Sequence, residues 1–178
     1  ELTDEVLKVI KESNVIVDHL HIPLQAGSDE ILKAMNRKYD LAYFFKKIED
    51  IRKIRPNISI TTDVIVGFPG ETRELFEKTI ETCRKLEFAK IHVFPYSERK
   101  GTKAIELPNH VDPSEKKSRA RELLLVSKEL EIAYAEKFIG KMEEVLIEEN
   151  KDDYSLGHTS NYLHVKIPRT IKPNTFVS

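Results

Sequence analysis

The sequence predicts an α/β fold in which parallel strands alternate with helices, followed by a small module of strands alone. Over the first 138 residues, short β-branched runs such as 58–66 alternate with amphipathic segments of helical period, which is typical of parallel α/β structure. Each predicted strand of that part has one apolar and one polar face, because successive side chains point to opposite sides. After Gly140 the helical period ends, and strand-like segments follow without helices between them. We therefore predict two units, residues 1–138 and residues 139–178.

The helices of the first unit are predicted from caps, apolar period and chain breakers. Ser28 and Thr72 are residues that accept hydrogen bonds at helix starts. Pro56 and Gly140 are residues that end helices. The predicted helices are 3–12, 28–36, 41–55, one that begins after Thr72, and a long one from Ser114 that ends before Gly140.

The predicted strands are shorter and apolar or alternating. In the first unit they are His19–Gln25, Ile58–Val66 and 89–94, and a long loop containing Gly101, Pro108 and Pro113 follows them. In the second unit we predict strands in MEEVLIEE, in 154–158 and in YLHVKI.

The composition is that of a chain able to bury a hydrophobic core. Its 178 residues are 40% apolar and 33% charged, with a net charge of −1 at pH 7. Since no apolar run approaches about 18 residues, we predict no membrane span. The single cysteine excludes an internal disulfide and indicates a reducing compartment, so we predict a cytoplasmic location. With so little net charge, RNA binding would have to rest on local basic patches.

Polar side chains are predicted on one face of all three strands of the first unit. That face carries Gln25 on the first strand, Asp63 on the second and Tyr96 just beyond the third. A buried carboxylate such as Asp63 needs a hydrogen-bonding partner, which the fold or a ligand can supply. Because the working groups of parallel barrels lie near the carboxyl ends of strands, we predict a cavity that holds a polar ligand. A satisfied internal polar network is the alternative.

The segment GFPGE, residues 67–71, joins the second strand to the next helix. Its two glycines allow close approach of the backbone, and amides at the helix start could meet an anion or a carboxylate. The segment matches neither the P-loop nor the dinucleotide-binding fingerprint. Taken alone, it is typical of a strand-to-helix turn.

Histidines raise the possibility of a metal site. His19 and His21 share a strand face, with Asp63 and His92 on neighbouring strands, and such a set could hold a catalytic metal ion. Both histidines lie early in their strand, away from the usual position of catalytic groups, so we predict no metal ligands. Cys83 is predicted to be a small buried hydrophobic residue.

Three motifs occur in an order and spacing that resemble a known family. HLHIPLQAGSDEILKAMNRKY, TTDVIVGFPGET and KIHVFPYS are similar to the later half of the radical S-adenosylmethionine domain of methylthiotransferases. The segments EEVLIEE, GHTSNY and LHVKI resemble the start of a TRAM domain, the small β module that those enzymes use on RNA. The resemblance implies the second half of an open, partial (β/α) barrel, then a truncated TRAM-like module. It also implies that an N-terminal half of the same polypeptide is missing.

The resemblance implies a function as well. Members of the family cleave S-adenosylmethionine reductively with one 4Fe-4S cluster, held by a Cys-x-x-x-Cys-x-x-Cys loop, and a second 4Fe-4S cluster on an N-terminal domain participates in sulfur delivery. The motifs are most similar to the branch that adds a methylthio group to threonylcarbamoyladenosine, next to the anticodon of tRNA. Sister branches act on isopentenyladenosine or on a ribosomal-protein aspartate. Since neither cysteine set is in this sequence, we expect the chain to be inactive alone.

Carried over position by position, the resemblance names candidate site residues. Gln25 and Asp63 match positions that contact the ribose or methionyl part of S-adenosylmethionine, and Arg37 matches one suited to its carboxylate. The residues expected to border the adenine are Val66, Gly67, Phe94 and Tyr96.

The second unit is expected to contact tRNA. An aromatic ring beside amide and basic groups suits unpaired RNA bases. The candidate residues are His158, Asn161, Tyr162 and Lys166, and turn or core roles remain the alternative for each. A metal-dependent barrel hydrolase and a non-catalytic RNA-binding protein remain alternative functions of the whole chain.

Overall fold

The computed structural model describes residues 2–178, so Glu1, the first residue of the first predicted unit, lies outside the described residues. The α-helices are α1 (Asp4–Glu12), α2 (Asp29–Ala34), α3 (Leu41–Ile54), α4 (Arg73–Leu86) and α5 (Pro113–Glu136). The strands are β1 (His19–His21), β2 (Ser59–Val66), β3 (Lys90–Pro95), β4 (Val145–Lys151), β5 (Tyr154–Thr159), β6 (His164–Ile167) and β7 (Phe176–Val177). A short 3-10 helix, Lys103–Glu106, lies in the loop between β3 and α5. Among residues 2–178, no helix is both long enough and apolar enough to cross a membrane.

Strands β1, β2 and β3 form a parallel sheet in that order, which we call the parallel sheet. Parallel neighbours need a crossover, and α2 with α3 supplies the first and α4 the second. One face of the sheet is covered by helices and buries a continuous apolar core. Its fully buried members include Phe76, Phe88, Ile51, Ile60 and Leu123. The predicted mixed α/β architecture is confirmed.

Helix starts follow the caps predicted from the sequence. The side-chain oxygens of Ser28 and Thr72 accept from the backbone N–H of Ile31 and Leu75, which satisfies donors that the first turn leaves free. Helix α5 begins one residue earlier than predicted, because Asp112 is its cap and Pro113 occupies the first helical position.

The first strand is shorter than predicted. It ends at His21 instead of Gln25, since Pro23 has no N–H for the ladder and Gln25 adopts a left-handed φ of 69°. Gln25 then returns to the sheet as an isolated bridge. Its N–H donates to the Asp63 carbonyl at 2.8 Å, and its own carbonyl accepts from the Ile65 N–H at 2.9 Å. The backbone of Gln25 is therefore held firmly although it lies outside the strand.

Strands β4 to β7 form a second sheet, antiparallel, in the order β6-β5-β4-β7, which we call the antiparallel sheet. The sequence did not predict β7, whose two residues are too few to show a pattern. A register shift interrupts β4 between Ile147 and Glu149. Specific side chains join this sheet to the rest of the chain. Leu163, between β5 and β6, packs beside Ala89, Tyr134 and Phe138, and the Tyr162 ring stacks on His19 of β1.

Candidate functional site

A cavity of about 590 Å³ opens where β2 and β3 approach their carboxyl ends. It brings together Gln25, Arg37, Asp63, Phe94 and Tyr96, which are five of the seven cofactor residues predicted from the sequence. The walls also include Ile65, Phe68 and Pro95, and the loop after β3 contributes Ser97, Arg99, Thr102 and Ala104. A few polar groups in a mostly apolar wall are typical of a small-molecule site.

Gln25 and Arg37 form one polar corner of this cavity. The Arg37 Nη2 donates to the Gln25 Oε1 at 2.8 Å. The rest of the Arg37 side chain is exposed, and no carboxylate within residues 2–178 pairs with it. Its guanidinium keeps donors free for a planar anion, the geometry that a carboxylate offers.

Asp63 differs from its predicted environment. Its side chain is 29% exposed, where burial was expected, because the polar face of the parallel sheet is open at this point. The chain also supplies a partner, since the His21 Nε2 lies 3.3 Å from the Asp63 Oδ1. Asp63 and Ile65, two residues apart on one side of β2, both line the cavity.

Val66 and Gly67, the remaining two predicted cofactor residues, do not line the cavity. Val66 is fully buried, and its carbonyl accepts from the Tyr96 N–H at 2.8 Å, so it supports the wall indirectly. Gly67 has a φ of 72°, and a Cβ there would lie 2.4 Å from the Lys116 Cγ. A glycine is thus required at this position because the Lys116 side chain of α5 packs closely against it, and not because a ligand does.

The anion expected at the GFPGE turn is a carboxylate of the chain itself. The Gly67 N–H donates to the Glu71 Oε2 at 2.9 Å, and the Arg119 Nη1 donates to the Glu71 Oε1 at 2.9 Å. Both side chains are buried, with 3% and 6% of their surfaces exposed. Burial raises the pKa of the Glu71 carboxyl, while Arg119 and the Gly67 amide lower it. Sequence reasoning missed this pair; an arginine on the apolar stripe of α5 was the available signal.

Tyr96 provides an unsatisfied polar group at the cavity wall. Its hydroxyl oxygen is buried, and it has no hydrogen-bond partner within residues 2–178. The ring packs edge-on against Phe68, with centroids 5.1 Å apart, and the Lys116 Nζ lies 5.0 Å from its centroid. Burial raises the pKa of the phenol. A buried hydroxyl without a partner is the condition that a bound ligand or water relieves.

Two of the four predicted RNA residues lie together on the antiparallel sheet. The rings of His158 and Tyr162 have centroids 5.3 Å apart, and Tyr162 is 57% exposed. Lys166 lies apart from them, with its Nζ 3.7 Å from the Tyr154 centroid. Asn161 is 3% exposed and accepts a hydrogen bond from the Thr159 hydroxyl, so its amide belongs to the interior and not to a contact surface.

The histidines of the parallel sheet do not gather as a metal site. The Thr61 hydroxyl lies 3.2 Å from the His19 Nε2 and 3.0 Å from the His21 Nδ1, which directs both rings toward it. Within residues 2–178, no three His, Cys, Asp or Glu side chains converge as metal ligands. Cys83 is fully buried on α4, where burial raises the pKa of its thiol to about 12.

Sequence comparisons show which known proteins this chain is similar to. Residues 1–83, which contain Gln25, Arg37 and Asp63, match the Radical SAM superfamily. The chain is 39% identical over 170 residues to the threonylcarbamoyladenosine tRNA methylthiotransferase MtaB of Bacillus subtilis. It is 40% identical over 171 residues to the tRNA-2-methylthio-N(6)-dimethylallyladenosine synthase of Desulfitobacterium hafniense. The chain belongs to the family of radical S-adenosylmethionine methylthiotransferases.

The similarity covers nearly all of this chain but less than half of each relative. The two alignments include 93% and 94% of this chain but only 38% of each relative. The synthase of Thermodesulfovibrio yellowstonii is 40% identical over the whole chain, which spans 42% of its length. The fold is similar to that of coproporphyrinogen III oxidase from Escherichia coli, a radical SAM enzyme, with a TM-score of 0.61 and 21% identity over 73% of this chain and 30% of that one.

Proposed function

We propose that the chain is part of an enzyme that adds a methylthio group to an N6-modified adenosine next to the tRNA anticodon. The observation that carries the proposal is the cavity that joins Gln25, Arg37, Asp63 and Tyr96 in a chain of this family. Threonylcarbamoyladenosine is the substrate that we favour, and isopentenyladenosine is the sister possibility. Relatives named for either nucleoside are about equally similar, at 39% and 40% identity.

The cavity residues fit S-adenosylmethionine. The Arg37 guanidinium, positioned by Gln25, would receive the methionyl carboxylate, and the Asp63 carboxylate would accept from the ribose hydroxyls. Phe94 is half exposed and would lie against the adenine, and Tyr96 would form part of the wall beside it. When bound, S-adenosylmethionine supplies the one-electron chemistry of the reaction. The residues of this chain bind and orient it.

Removal of the Asp63 carboxylate tests this assignment directly. In the full-length enzyme, Asp63→Ala should weaken S-adenosylmethionine binding roughly tenfold or more, the effect of losing a hydrogen bond to a charged group. Equilibrium dialysis with labelled S-adenosylmethionine gives the affinity without need for turnover. Asp50→Ala is the matched control, since Asp50 pairs with Lys46 on α3 away from the cavity. Unchanged affinity in Asp63→Ala would remove Asp63 from the cofactor site.

The residues of this chain do not fit an iron–sulfur cluster. Cysteine thiolates hold such clusters, and the one cysteine of the sequence is the fully buried Cys83. We propose that both 4Fe-4S clusters of the full-length protein are held by an N-terminal half, and that this chain does not turn over alone. The experiment is to compare iron content and activity with and without a co-expressed N-terminal half of a relative.

We propose further that residues 1–138 belong to the radical SAM barrel and residues 139–178 to a TRAM-like module that contacts tRNA. The His158–Tyr162 ring pair and Lys166 support a role in base and phosphate contact. The cytoplasm, where tRNA is modified, is the location that follows from this function.

Nucleoside mass spectrometry of tRNA tests the activity and the substrate together. In the source organism with the gene deleted, methylthio-threonylcarbamoyladenosine should disappear while its unthiolated precursor accumulates. Loss of the methylthio form of isopentenyladenosine alone would retain the enzyme class and replace the substrate. Persistence of both nucleosides would overturn the tRNA assignment, and the ribosomal-protein aspartate would then be the next substrate to test.

A further inference from the structure

A second cleft of about 570 Å³ lies at the opposite end of the parallel sheet from the cofactor cavity, between that sheet, α5 and the antiparallel sheet. Five of the six histidines of the sequence line it. They are His19, His21, His92, His158 and His164. We call it the histidine cleft. Strands β1 and β3 contribute the first three and strands β5 and β6 the other two, so residues far apart in sequence converge here.

The rings in the cleft form stacked platforms. His19 stacks on Tyr162 with centroids 4.3 Å apart, and His158 stacks on His164 at 4.9 Å. Tyr162 is 57% exposed although His19 and His158 both lie against its ring. Exposed stacked rings accept the flat face of a nucleobase regardless of its identity.

Two donors in the cleft, on Lys90 and His92, are left free for an anion. Lys90 and Lys128 contribute ammonium groups to the lining, and Glu131 contributes one carboxylate, which pairs with Lys128 at 3.1 Å. Two carboxylates next to the cleft each contact one ring nitrogen of a histidine. Asp63 contacts His21, and Glu148 contacts His158. Within residues 2–178, no carboxylate pairs with Lys90 or His92, and both side chains are exposed. Lys90 and His92 therefore keep donors free for a phosphate, whereas the charge of Lys128 is already paired with Glu131.

The histidine cleft and the cofactor cavity share one face of the sheet. Thr61 lines the cleft, while Asp63 and Ile65, on the same side of β2, line the cavity. Four residues along a strand span about 13 Å. One nucleic-acid molecule can therefore reach both sites along a single open surface.

We propose that the histidine cleft binds single-stranded RNA, with a base stacked on Tyr162 and phosphates on Lys90 and His92. The inference rests on the proposed tRNA function, and it adds a contact site formed by the parallel sheet and α5 to the one expected on the antiparallel sheet alone. The cleft acts as an anchor for RNA away from the reacting atoms. It holds the strand while the target base reaches the cofactor cavity.

The test measures binding of a fluorescein-labelled single-stranded hexa-adenylate to the full 178-residue chain. Tyr162→Leu should weaken binding about tenfold, the effect of removing the surface on which one base stacks. Lys90→Gln combined with His92→Gln should weaken it and lower the salt dependence, by roughly 0.7 in log–log slope for each phosphate that the protein no longer neutralises. His110→Gln, the one histidine outside the cleft, and Lys53→Gln on α3 are matched controls that should bind like the unmodified chain.

Competition with inorganic polyphosphate separates RNA from a general anion. Polyphosphate should compete weakly, and its binding should be insensitive to Tyr162→Leu. Equal competition together with normal RNA binding by Tyr162→Leu would overturn the proposal in favour of a simple anion site. RNA binding that survives every cleft substitution, or no RNA binding by the folded chain, would also overturn it. Either result leaves the nucleoside analysis free to confirm the enzymatic function, so the two failures are distinguishable.

Discussion

The two sheets of this protein are stabilised in different ways. The parallel sheet buries apolar side chains between strands and helices, and Phe76, Phe88 and Leu123 are inaccessible to solvent. The antiparallel sheet has only Val145 and Ile147 as buried apolar residues. Much of its interior is polar, with Ser155, Thr159 and Asn161 buried and hydrogen-bonded. The Ser155 hydroxyl alone contacts the Asn150 side chain, the Arg169 carbonyl and the Ile171 N–H.

The difference shows where each sheet can tolerate change. An apolar core becomes less stable gradually as side chains are truncated, but a polar interior fails when one hydrogen-bond partner is removed. The parallel sheet has features of the second kind as well: Thr62 is buried and its hydroxyl accepts from the Leu24 N–H, and beside the sheet lies the buried Glu71–Arg119 pair. The antiparallel sheet also depends on its packing against the parallel sheet, through Leu163 and the Tyr162–His19 stack.

The largest effect is expected from Arg119→Met. The change leaves the Glu71 carboxylate buried without its partner, which typically costs about 3–5 kcal/mol in the free energy of unfolding. Chemical denaturation followed by circular dichroism gives that value. Arg121→Met, two residues along α5 and exposed, is the matched control and should lie close to the unmodified protein. If both variants unfold alike, the buried pair does not stabilise the fold.

An intermediate effect is expected from Gly157→Ala in β5. Its added Cβ would lie 2.1 Å from the backbone oxygen of Leu146 on β4, so the two strands must separate, at about 1–3 kcal/mol. Hydrogen exchange should show reduced protection in β4 and β5 with protection in β2 retained. Ser160→Ala, an exposed change next to β5, provides the comparison. An equal reduction of protection in β2 would show that the two sheets unfold as one body.

The smallest effect concerns His19 and the boundary between the sheets. Burial, and then the charges of His21 and His92, hold the pKa of His19 below 6.5. As the pH falls below 6.5, the unfolded chain therefore takes up a proton at this residue before the folded chain does. Stability attributable to His19 is complete above that pH and declines below it. Two other titratable groups lie beside these histidines. Asp63 contacts His21, and Tyr162 stacks on His19.

Thermal unfolding measured from about pH 7.5 to about pH 5.5, a range that spans the ordinary histidine pKa, detects the effect. The midpoint of the unmodified chain should fall more than that of His19→Gln over this range. His110→Gln, whose ring lies near Glu98, should retain the full decline. An identical decline in all three proteins would remove His19 as its source.

Local patterns predicted the elements well. Caps at Ser28 and Thr72, the apolar stripe of α5 and the change of period after Gly140 all correspond to observed boundaries. The end of β1 was wrong, because a proline and a left-handed glutamine interrupt the ladder within an apparently continuous strand. β7 was missed, because its two residues form a strand only through their pairing with β4.

The candidate site, like the fold, was predictable from the sequence only in part. Alternation along β2 was enough to place Asp63 on the polar face of the sheet, because side-chain direction in a strand is a local property, while Arg37 and Phe94 were named by the family resemblance. The burial of Glu71 and Arg119, the exposure of Asp63 and the internal role of Asn161 were not predictable. Each depends on which distant segment packs against the residue.

By itself, the sequence determined the alternation of strands and helices, the polar face of the sheet and the family, because each is encoded by neighbouring residues or short motifs. Only the tertiary structure decided that Arg119 of α5 neutralises the Glu71 carboxylate and that five histidines converge on one cleft. The ion pair forms where α5 packs on the turn after β2, and the cleft forms where β5 and β6 lie near the starts of β1 and β3. The physical reason is that burial and pairing are properties of contacts across long sequence separations, which no local period records.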